Sequence, residues 1–77
     1  MSIRAGFPRG ELVEILKAYF PPECRVELVF IDDPYTELTP GEQGTVKFVD
    51  AIGTVFVEWD CGCYLGVVHG IDRIVKL

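Results

Sequence analysis

The sequence predicts a small, mainly β domain: five short strands curled into a barrel, with one N-terminal amphipathic helix packed on it. Three observations predict it. An apolar period near 3.6 stops at a pair of prolines; a period of two then recurs along the rest of the chain; and the connections shorten after a long first one. The 77 residues suffice for one domain, spanning 1–77, near the lower limit for folding on a single hydrophobic core.

The helix comes first, over residues 8–20. In ELVEILKAYF, Leu12, Ile15, Leu16 and Tyr19 form one stripe, with Val13 and Phe20 at its edge. Pro8 suits the first turn, where its missing N–H costs nothing, and Pro21-Pro22 ends the helix.

Residues 24–77 form the barrel. Cys24, Val26, Leu28 and Phe30 alternate, as do Val46 with Phe48, Val55, Val57 with Trp59, and Leu65 with Val67; a last strand covers Ile74 to Leu77. Trp59 is in phase with Val55 and Val57, which suits a core or core-edge residue more than a ligand platform. Val29, Ile31, Phe56, Tyr64 and Val68 give the strands a second apolar face. The helix is expected to dock on that outer face.

The first connection, DDPYTELTPGEQGTV, takes about a dozen residues where a hairpin needs two. Asp33-Pro34-Tyr35-Thr36 suits a type I turn, and Thr39-Pro40-Gly41-Glu42 carries the Pro-Gly signature of type II. A folded-back first loop, tight middle hairpins and a short break before the last strand describe an SH3-like barrel.

Composition narrows the function classes. Hydrophobic residues make up 49% of the chain, so part of the surface is expected to meet a second copy or another partner, a larger core being the alternative. The N-terminal stretch lacks the apolar core of a secretory signal, and no apolar run is long enough to span a bilayer. Three cysteines give no even disulfide framework, and the cytoplasm is the expected compartment. Residues 21–45 have Arg25 as their only cation against Glu23, Glu27, Asp32, Asp33, Glu37 and Glu42; the net charge of the whole chain is −5.

The stretch RVELVFIDDPYTELTPGEQGTVKFVDAIGTVFVEWDCG resembles a family of short bacterial domains of unknown function. Its pattern reads R-V-x-L, D-D-P-Y-T, P-G-x-x-G-T-V, then an aliphatic strand ending in W-D. The resemblance runs from about Val13 to Leu77. It implies an SH3-like barrel, often encoded on mobile elements, and no catalytic residues. The chain departs from the pattern at Glu23-Cys24, where Gly-Thr is usual, at Cys61 and Cys63, where polar turn residues stand, and at His69, where Pro is common.

Enzymatic and cofactor readings find little support. Ser2 is the only serine and His69 the only histidine, and no Gly-rich phosphate loop follows a strand. Cys61 or Cys63 could pair with His69, but the spacing does not specify it. Cys24, Cys61, Cys63 and His69 have the composition of a zinc site, yet C-x-C departs from the usual C-x₂-C knuckle. Asp32-Asp33 lacks calcium-loop spacing. No cofactor is expected.

PGEQGTVKFVD followed by IGTVFVEW is also similar to KOW-like barrels associated with nucleic acid, but the loop here is acidic where phosphate binding needs cations. Proline-rich recognition in SH3 domains uses a second tryptophan and an aromatic ladder, neither of which is visible here. The reading is a non-enzymatic, protein-binding module. Its expected face is Asp32, Asp33, Tyr35, Glu37 and Glu42, meeting a basic segment, unless those carboxylates only confer solubility and Tyr35 lies down on the barrel.

Overall fold

The computed structural model describes residues 9–77, so the expectation for Pro8 lies outside the described residues. Its elements are α1 (Arg9–Tyr19), β1 (Arg25–Phe30), β2 (Gln43–Val49), β3 (Thr54–Trp59), β4 (Tyr64–Val68) and β5 (Arg73–Lys76). All strand pairs are antiparallel, in the order β4-β3-β2-β1-β5. No ladder joins β4 to β5, so hydrogen bonding leaves an open sheet where a closed barrel was expected. No described helix is long and apolar enough to cross a membrane.

The inner face of the sheet carries Val26, Leu28, Val46, Val49, Val55, Val57, Trp59 and Val67, all buried. Trp59 is 1% exposed and its indole N–H donates to the Leu65 carbonyl at 3.3 Å, as a buried indole requires.

Two sequence expectations for the helix are corrected. Leu12, Val13 and Leu16, with Phe20 just past its end, are its buried residues, whereas Ile15 and Tyr19 are 45% and 55% exposed. At about 100° per residue this rotates the stripe by roughly 60° from the one read in sequence. The four buried residues join the same core as the inner face, so α1 packs there and not on the outer face. The open sheet explains this: with β4 and β5 unpaired, the inner face itself needs a cover. Val29, Tyr64 and Val68 stay exposed outside.

A third correction concerns Phe48. The β2–β3 register shifts between Val46 and Phe48, a bulge that opposes Phe48 to Phe56 and turns it onto the outer face. After α1 the chain turns through Glu23, whose φ of 75° lies in the left-handed region.

Candidate functional site

The long first loop is ordered as its turn residues dictate. Thr36 N–H donates to the Asp33 carbonyl at 3.3 Å and Tyr35 N–H to the Asp33 carboxylate at 2.9 Å, closing the first turn. Glu42 N–H donates to the Thr39 carbonyl at 3.2 Å, with Gly41 at φ 98°, the positive value a type II turn needs at its third position. Between the turns Leu38, 5% exposed, anchors the loop in the core. Gly41 N–H to Leu28 O and Leu28 N–H to Glu42 O, both 2.8 Å, seat the loop's return on β1.

Asp72, unremarked in the sequence, ties the loop's entrance down. Its carboxylate accepts from Asp32 N–H at 2.8 Å and from Val68 N–H at 2.9 Å, linking the ends of β1 and β4. An Asp just before a strand carries no signal for so distant a partner, forty residues away.

The five predicted loop residues divide by role. Asp33 and Glu42 are spent on the turns: Thr39 N–H and its Oγ1 both donate to Glu42. Asp32 and Glu37 are exposed, and their carboxylates accept no hydrogen bond among the described residues. Tyr35 stands in solvent, away from the sheet, at 93% exposure, which decides between its two readings. Across a shallow groove from Tyr35, Glu37 and Glu42 lie Cys61, Cys63 and Tyr64 of the β3–β4 hairpin. Arg25, the one cation in the acidic span, is committed elsewhere, donating to Asp60 at 2.7 Å and to Thr45. Its hydrogen bond holds the Asp60 carboxyl below the usual range. Lys47 pairs with Glu23 at 3.2 Å.

The Thr39 amide is the main cause that lowers the Glu42 pKa below the ordinary 4.5, against a smaller opposing effect of desolvation. A depressed folded value means that the contact contributes above the unfolded pKa and is lost as pH falls through the folded one. In an NMR titration the Thr39 amide is therefore expected to shift with a midpoint below 4.5. A midpoint at or above that value would mean the carboxylate does not hold this turn.

The four residues with zinc-like composition are not brought together. Cys61 and Cys63 are neighbours on the hairpin, while His69 lies beyond the far end of β4, a strand length of about 17 Å away. Cys24 packs half-buried against the core, and burial pushes its thiol pKa up. No three His, Cys, Asp or Glu side chains converge on a metal position among the described residues.

Two surfaces escaped the sequence. Contrary to the expectation of no aromatic ladder, Phe48, Phe56 and Tyr64 stack across the outer face, with centroid spacings of 4.7 and 6.0 Å. The bulge at Lys47 puts Phe48 in this row, and alternation alone could not have found it. An apolar groove of about 680 Å³ also runs between α1 and the β4–β5 connection, lined by Ile15, Tyr19, Phe30, Val68 and Ile71.

The chain belongs to the family described as Domain of unknown function (DUF4314), whose profile matches residues 3–77. No curated protein matches the chain, and no solved structure does.

Proposed function

We propose that the domain is a non-enzymatic interaction module of SH3-like connectivity that binds a basic protein segment on its first loop. The observation that carries this reading is Tyr35, 93% exposed on a loop pinned by two turns and by Leu38. A side chain held in water contributes little to the fold, yet it is the type that anchors interfaces. The loop is stiff, so binding costs it little conformational entropy. Among the described residues no cation pairs with Asp32 or Glu37 beside it, which favours approach of positive charge. The strand order, with β5 returning to β1, supports the SH3-like assignment. Three free thiols suit the reducing cytoplasm, where we place the protein.

The test is titration with a Lys/Arg-rich peptide, followed by amide NMR. Asp32→Lys with Glu37→Lys is the informative variant, since Asp33 and Glu42 hold the turns and their loss would disturb the loop itself. Binding is expected to weaken by about tenfold or more, corresponding to roughly 1.4 kcal/mol, and Tyr35→Ala should do the same without changing the fold. Equal affinity of both variants and parent at low and high salt would reduce the loop to scaffold.

A nucleic-acid reading draws on the Phe48–Phe56–Tyr64 row, since bases stack on aromatic rings. The nearby cations Arg25 and Lys47 are already paired with carboxylates, and a net charge of −5 opposes phosphate. Oligonucleotide binding at low salt that is lost in Phe56→Ala but kept in Tyr35→Ala would favour this second reading.

A further inference from the structure

We propose that Cys61 and Cys63 are a redox-active thiol pair, closed to a disulfide across the β3–β4 turn by exchange with a small glutathione-type disulfide. Their Sγ atoms lie 3.4 Å apart, and both residues are exposed. A disulfide bond is about 2.05 Å long, so closure requires an approach of little more than about 1 Å. The turn holds both thiols at one tip: Trp59 N–H donates to the Cys63 carbonyl at 2.8 Å and Gly62 N–H to the Trp59 carbonyl at 2.9 Å. Gly62, at φ 100°, supplies the left-handed residue that lets so short a loop reverse and gives the ring its freedom to close.

Two adjacent sulfurs without a third ligand do not make the closed tetrahedral site of structural zinc. They do suffice for two-electron thiol chemistry. The thiolate of one cysteine attacks a sulfur of the small disulfide, forming a mixed disulfide and releasing one small thiol. The thiolate of the other cysteine then attacks the protein sulfur of that mixed bond and expels the second small thiol. Two protein thiols are oxidised, one disulfide is reduced to two thiols, and the protein's two thiol protons pass to the released thiolates. The product spans a very short, exposed turn, the setting in which disulfides are readily reduced again.

Partial desolvation, then its neighbour Cys61 and the charge of Glu42, pushes the thiol pKa of exposed Cys63 above the ordinary value. Exchange proceeds through thiolate, so closure should speed up as pH rises toward that range. Cys24, half-buried against the core, provides an internal comparison.

The experiment equilibrates the full chain with mixed reduced and oxidised glutathione, alkylates the remaining thiols and reads intact and peptide masses. The expected result is loss of both hairpin thiols together in a monomer, Cys24 remaining alkylated. Cys61→Ser and Cys63→Ser should each accumulate a glutathione adduct at roughly tenfold the wild-type occupancy, because neither can complete the second step. Equal adduct occupancy in wild type and both variants would overturn the proposal. So would disulfide-linked dimers in place of the closed monomer.

Discussion

Leu16→Asp is expected to abolish cooperative unfolding at 25 °C, leaving a chain without a stable core. Leu16 is 4% exposed, on the helical face that packs against the sheet's inner side. Its replacement forfeits about 1.5–3 kcal/mol of apolar burial. It also places a carboxylate where the desolvation penalty is several kcal/mol, with no buried cation among the described residues to offset it. At 0.05–0.15 kcal/mol per residue, a chain of this length holds only about 4–12 kcal/mol in all. The two losses together take most of that.

Ile15→Asp is the matched comparison. The two substitutions are one residue apart and chemically alike, but Ile15 is 45% exposed and its carboxylate can stay in water. A change within about 1 kcal/mol is expected there. Circular dichroism melts of both variants decide the matter. If Leu16→Asp melts like the parent, the helix is not part of the core; if both variants unfold, the buried stripe is wider than the structure gives.

The stripe illustrates where the sequence was legible and where it was not. That residues 8–20 hold an amphipathic helix follows from spacing alone, because any face of apolar residues at 3.6 periodicity must find cover. Which edge of that face is deepest depends on the surface that receives it, and Ile15 and Tyr19 carry no mark of the groove they border. The first loop was read well because turns are local: Pro34, Pro40 and Gly41 fix backbone angles within four residues. The Asp72 clamp and the closeness of Cys61 and Cys63 to the loop are tertiary, set by strands that bring distant positions together. Of the proposed loop face, the exposure of Tyr35 was left open by its type, since a tyrosine serves equally in water or against a core.

Trp59→Ala and Phe48→Ala set the strand pattern to the same test. By alternation alone both rings belong to the interior, Phe48 in phase with Val46 and Trp59 with Val57. The bulge between Val46 and Phe48 separates their fates, since it shifts every later side chain of β2 by one position relative to the face it would otherwise share. Trp59 stays at 1% exposure, bonded through its indole N–H to Leu65, and its truncation leaves a large void. A loss of about 3–5 kcal/mol is expected, enough to unfold much of the population in a domain this small. Phe48, 45% exposed, gives up mainly its stack on Phe56 at 4.7 Å, and about 0.5–1.5 kcal/mol is expected. Urea unfolding of the two variants against the parent measures both. A Phe48→Ala loss as large as that of Trp59→Ala would place Phe48 in the core after all, and with it would go the outer aromatic row on which the nucleic-acid reading depends.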